Sequence, residues 1–135
     1  MNVLNITGLY ASILAFIIIF LGYRVASLRM KHRVGLLDGG NPELTQAMRM
    51  HGNAVEWVPM VLILFACAES QQLMPIVLHS LGIMLVLARV YHSYGLHKSS
   101  GRSKGRVVGI MGTWFVTIVL AVYNIYRFAM NAAFF

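Results

Sequence analysis

Arg49, Asn53 and Glu56 lie in the stretch "RMHGNAVEW", residues 49 to 57, within an otherwise apolar run. At 100° per residue these three positions fall within about 60° of one another on a helical wheel, so they form one polar stripe, while His51 points to roughly the opposite side. A cation, an amide and an anion in line suit a small molecule that carries an anionic group, a carbonyl or amide, and a cationic group. A small zwitterionic peptide meets that description. The alternative is that Arg49 and Glu56 neutralise each other. At i, i+7 they stand about 10 Å apart along the axis, beyond direct contact unless the arginine folds down. At least one charge therefore needs another partner.

A second polar set follows in "ARVYH", where Arg89 and His92 share a helix face at i, i+3. Arg89 could snorkel to the membrane interface or serve as a partner for Glu56, and the sequence leaves both open. Tyr91, Tyr94 and His79 fall at interfacial depth, where aromatic belts are expected. Pro59 withdraws the backbone donor that would bond the Val55 carbonyl, which loosens or kinks the helix beside Glu56. Other chemistries find no support. The histidines show no i, i+4 pairing with one another or with a carboxylate, so no metal site is expected. Cys67 is the sole cysteine and reads as a small apolar residue. "SGRSKGR" lacks the spacing of a phosphate-binding P-loop.

The elements that must position these groups are membrane helices. Of 135 residues, 59% are hydrophobic and only 11% charged, and Met1 to Tyr23 contains no charged side chain. Three further apolar stretches follow, roughly Leu44 to Ala68, Ser70 to Ala88 and Val107 to Tyr126, each near the ~20 residues that cross a bilayer as a helix. Four spans use nearly the whole chain, so a single all-α four-helix membrane domain over residues 1–135 is expected. The first span lacks the basic flank and cleavage site of a signal peptide. Between spans one and two, "RMKHRVGLLDGGNPEL" should turn. Asn41 is suited to cap helix two, with Pro42 at its first position and Glu43 in its first turn.

Charge sets the expected orientation. Arg24, Arg29, Lys31 and Arg33 follow span one, and Lys98, Arg102, Lys104 and Arg106 follow span three, whereas "ESQQLMP" between spans two and three carries no basic residue. By the positive-inside rule both basic loops are cytoplasmic and both termini lie on the far side. The net charge of +7 is then concentrated on one face, where it attracts anionic lipid headgroups. Nucleic-acid binding is not expected, because no soluble basic module exists to carry it.

"RMHGNAVEWVP" resembles the R-x-x-x-N-x-x-E motif of the second helix in the MAPEG family, the membrane-associated proteins of eicosanoid and glutathione metabolism. Four spans in this length, the basic loop after helix one, "ARVYH" and "GRSKGR" are similar in placement across the whole chain, and the short loops resemble those of a bacterial, inner-membrane member. The resemblance implies a homotrimer that binds glutathione in a cleft between subunits opening toward the cytoplasm, beside membrane lipid that delivers a hydrophobic substrate. It implies that Arg49, Asn53 and Glu56 hold the tripeptide, with Arg89 and His92 on helix three contributing. His51 and Arg29 would reach the site from the neighbouring subunit, and Trp57 takes the place of an aromatic found in some members. Arg106 best matches the arginine that stabilises the glutathione thiolate, with Arg102 as its rival. The chain departs from several members in having Leu96 and Ile110 where they carry tyrosines, and Tyr91 or Tyr94 would have to compensate.

The implied activity is a glutathione-dependent transferase or peroxidase acting on hydrophobic electrophiles or lipid hydroperoxides. An unperturbed thiol has a pKa of about 8.5, and a guanidinium in contact with sulfur favours the thiolate. The same family also contains a lipid-binding protein without catalytic activity, so a non-enzymatic lipid-binding or scaffolding protein is the alternative.

Overall fold

The computed structural model describes residues 4–98 and 104–132. Four α-helices dominate, with no strand among the described residues: α1 (Asn5–His32), α2 (Pro42–Ser70), α3 (Pro75–Lys98) and α4 (Lys104–Ala132). All four are long and apolar enough to cross a membrane. At 1.5 Å per residue even α3 extends about 36 Å, more than the ~30 Å hydrocarbon core.

The helices outrun the apolar stretches that mark them. Span one ends in sequence at Tyr23, yet α1 continues through Arg24 and Arg29 to His32. Basic residues in a last turn complement the negative helix end, so "RMKH" extends the helix instead of opening the loop. The turn is made by Arg33 at φ 56°, where the Val34 amide donates to the Arg29 carbonyl at 3.0 Å. Helix α3 differs at its start, which falls at Pro75 inside the stretch that opens at Ser70, because α2 runs to Ser70 and a proline fits a first helical position. The start of α2 is as its sequence dictates. Asn41 Oδ1 accepts from the amides of Glu43 and Leu44 at 2.9 and 3.2 Å, and Pro42 opens the helix.

In the loop before it, Asp38 accepts from the Thr45 hydroxyl at 2.6 Å and the Gly40 amide at 3.0 Å. These bonds, the Thr45 one foremost, hold its carboxyl below the usual aspartate range.

At the opposite end of the bundle, α1 has no side-chain cap of its own. Glu69, in the last turn of α2, supplies one across the structure: its carboxylate accepts from the Ile6 amide at 2.9 Å, the Thr7 amide at 2.7 Å and the Thr7 hydroxyl at 2.6 Å. Tyr10 donates to the His79 carbonyl at 3.0 Å, and Gln71 donates to Asn124 at 2.8 Å. A polar layer thus ties all four helices together at the end of the bundle where α1 begins and α4 ends.

Below that layer, the main core takes side chains from every helix, with Leu14, Val61, Phe65, Leu78, Leu85, Val116 and Leu120 fully enclosed. Toward the basic loops this common core stops. Two smaller clusters, Leu21 with Met50 and Ala54, and Leu28 with Leu44 and Ala47, join α1 to α2 alone. Between α3 and α4 the contact is backbone on backbone. A Cβ built on Gly95 falls 2.5 Å from the Arg106 nitrogen, and one on Gly109 falls 2.5 Å from His92 Cβ and 2.7 Å from the Ala88 carbonyl oxygen. Only glycine allows this approach. The polar residues of α2, α3 and α4 occupy the half of the bundle where the shared apolar core is absent.

Candidate functional site

Asn53 joins the two polar sets. Its Oδ1 accepts from Arg89 Nη1 at 2.9 Å across the α2–α3 interface. Arg89 does not snorkel outward: it is 2% exposed, and its Nη2 reaches the Gly109 carbonyl at 3.4 Å. Its Nε is buried and has no partner among the described residues. An enclosed guanidinium with neutral acceptors and no carboxylate leaves the site electropositive, a state that favours an anion nearby.

His92 is also buried, at 7% exposure, and its Nδ1 lies 3.1 Å from the Arg106 carbonyl. A carbonyl only accepts, so Nδ1 must be the protonated nitrogen, and in the neutral ring Nε2 is the acceptor. This bond anchors the first turn of α4 to α3 and so places Arg106, which is half-buried, beside the Arg89–His92 pair. Arg102 lies outside the described residues.

Arg49 and Glu56 behave differently from Asn53. Both are exposed on the surface of the single chain, and neither has a hydrogen-bond or ion-pair partner among the described residues. The mutual neutralisation that sequence spacing allowed does not occur. Glu56 lies fourteen residues into the 29-residue α2, about 21 Å along a helix of about 44 Å, which is mid-span. Insertion scales put an ionised side chain at that depth, facing lipid, at about 2.5–3.5 kcal/mol unfavourable. The exposed edge of α2 is therefore a surface that must meet something polar.

The remaining candidates are dispersed around this centre. His51 packs on α1, where its Nε2 would stand 3.3 Å from a Cβ on Gly22. Arg29 is folded onto its own loop, donating to the carbonyls of Gly35 at 3.2 Å and Val34 at 3.4 Å and to Met48 Sδ at 3.5 Å. Trp57 stacks obliquely on Trp114 of α4, with ring centroids 6.1 Å apart, at the α2–α4 edge next to Glu56. Tyr94 is exposed and lines a groove on the α1 side with Phe16 and Phe20.

The glycines that assemble the centre carry no chemistry of their own, and only their spacing marks them in the sequence. Gly105-x-x-x-Gly109, with Gly95 opposite, is the small-xxx-small spacing of closely packed membrane helices.

The residues fit a zwitterionic tripeptide. Among the described residues the exposed cation and exposed anion lack partners, and the buried guanidinium keeps one unpaired donor.

Comparison with known proteins adds two findings. The sequence pattern of the MAPEG family matches residues 7–126. The chain is also similar to the inner membrane protein YecN of Escherichia coli strain K12, with 34% identity over 121 residues that cover 90% of this chain and 91% of that protein. The YecN of E. coli O6:H1 strain CFT073 matches with the same figures.

Proposed function

Because the chain belongs to the MAPEG family, we propose that it is an integral-membrane, glutathione-dependent transferase or peroxidase acting on hydrophobic electrophiles or lipid hydroperoxides. The observation that supports this reading most is the pair of exposed charges Arg49 and Glu56, without partners among the described residues, on a membrane helix beside a buried Arg89 fixed by Asn53. A neighbouring copy of the chain would shield that edge from lipid, and a zwitterionic ligand between copies would satisfy it. The assembly proposed is a homotrimer. The inner membrane, where the name of the E. coli relative places that protein, is the proposed location, with the basic loops cytoplasmic and both termini outside.

Each group then has a task. Arg49 faces the ligand's anionic end and Glu56 its cationic end. Asn53 holds Arg89 in place and orients it. Arg29 would have to leave the carbonyls of Val34 and Gly35, and His51 its place against α1, to reach the site of the adjacent copy, and Trp57 with Trp114 gives the cleft an apolar wall. Bound glutathione supplies the nucleophile, whose thiol is largely protonated at neutral pH when unperturbed, with a pKa of about 8.5. Arg106, or Arg102 as its rival, stabilises the negative charge on sulfur and stays protonated while doing so. The departing proton passes to water at the mouth of the cleft.

Calorimetric titration of glutathione into the purified, detergent-solubilised protein tests the reading. Saturable binding that weakens at least tenfold in Arg49→Ala and Glu56→Gln is expected. Absence of binding by the folded wild-type chain would sink the proposal and leave a non-enzymatic lipid-binding or scaffolding protein.

A further inference from the structure

A groove of about 610 Å³ runs between α1 and α3 in the half of the bundle nearest the basic loops. Its walls are Phe16, Ile17 and Phe20 of α1 and Val90, Ser93 and Tyr94 of α3, with Met50 of α2 at the floor and Arg24 at one end. It is not part of the Arg49–Glu56 site. Helix α2 offers it only Met50, a residue of its buried face, whereas Arg49 and Glu56 lie on the exposed face.

The lining is ordered along the membrane normal. Helices α1 and α3 run in the same direction, and the polar residues Arg24, Ser93 and Tyr94 cluster toward the ends that meet the basic loops. Phe16 lies eight residues, about 12 Å, deeper than Arg24. Arg24 leans across the floor, its Nη1 3.8 Å from Met50 Sδ. Phe16 and Phe20 are 71% and 65% exposed, so the groove opens sideways to the hydrocarbon. Water is a poor occupant of so apolar a trough, since it would find polar partners at one end only. The volume lies within the ~300–1,000 Å³ typical of small-molecule sites.

We propose that this groove holds one acyl chain of an anionic phospholipid, with the lipid phosphate at Arg24, in the leaflet that the basic loops face. The sequence of charge then apolar surface matches such a lipid end to end. Arg29, Lys31 and Arg33, just beyond Arg24, enrich anionic headgroups at the groove's mouth. The proposal does not depend on glutathione chemistry.

Native mass spectrometry of the full chain released from nanodiscs of equal phosphatidylglycerol and phosphatidylcholine tests it. One phosphatidylglycerol retained per chain is expected, preferred about fivefold over phosphatidylcholine, as one arginine contact warrants. Arg24→Gln should abolish the preference while either lipid still binds, and Ser93→Trp, which fills the groove, should remove both. Equal retention of the two lipids by the wild-type chain overturns the proposal, as does a preference that survives Arg24→Gln or a bound lipid that survives Ser93→Trp. If the wild-type chain shows no preference and Ser93→Trp changes the number of chains per particle, the groove is a seam between copies.

Discussion

Asn53 is the smallest residue of the polar stripe and the one whose loss has the most direct structural cost. It gives Arg89 its only side-chain acceptor among the described residues, in a site with 2% exposure. A hydrogen bond to a buried charge contributes about 1.5–3 kcal/mol, and removing one partner also leaves the other desolvated. Asn53→Ala is therefore expected to lower stability by about that amount in a detergent denaturation series, and Arg49→Ala by much less, because Arg49 has no partner to lose among the described residues. Equal destabilisation by the two changes would show that the Arg89–Asn53 bond does not organise the centre. The stripe itself was legible from spacing alone. What Arg89 does was not: its choice between the interface and the bundle depends on how α2 and α3 are rotated against each other, and periodicity within one helix does not carry that information.

The helices are joined by two devices that act between elements. At one end the Glu69 carboxylate caps α1 by accepting from the Ile6 and Thr7 amides. Loss of a cap costs about 0.5–2 kcal/mol. Glu69→Ala should lower thermal stability by that order and speed amide exchange at Ile6 and Thr7 specifically, and unchanged exchange there would discount the cap. At the other end, Gly95, Gly105 and Gly109 let α4 lie against α3. Gly109→Ala should overpack the crossing, costing about 1–3 kcal/mol, and should displace Arg106 from His92. Gly8→Ala is the control, because a Cβ there meets nothing within 4 Å. If both substitutions leave stability and turnover alike, the close crossing is not what positions Arg106. The capped start of α2 was readable from "NPE". The overrun of α1 to His32 was not, because apolar length reports the part of a helix in lipid and not where its hydrogen bonds end. Glu69 was hidden for a related reason: it caps a helix more than sixty residues away in sequence.

Among the described residues, the common core fills only the half of the bundle where α1 begins and α4 ends, and the other half leaves a buried guanidinium and an exposed, charged helix edge. Four spans, an all-α bundle and membership of the MAPEG family were all foreshadowed by composition and by "RMHGNAVEW", because apolar length and a spaced polar motif are properties of the sequence itself. A cleft between copies belongs to the assembly, and a single chain carries only its unmatched surface. The proposed function requires this polar half to hold glutathione as a thiolate stabilised by an arginine. Ultraviolet absorbance of the thiolate, followed against pH with glutathione bound to the purified protein, tests it most directly. The wild-type protein should show a titration midpoint below the free value of about 8.5, and every tenfold gain in the thiolate-to-thiol ratio corresponds to about 1.4 kcal/mol of thiolate stabilisation. Arg106→Ala should return the midpoint toward 8.5 with glutathione affinity nearly intact, or Arg102→Ala should do so if that arginine holds the sulfur. A midpoint at the free value in the wild-type protein, or one that neither substitution moves, would contradict the claim.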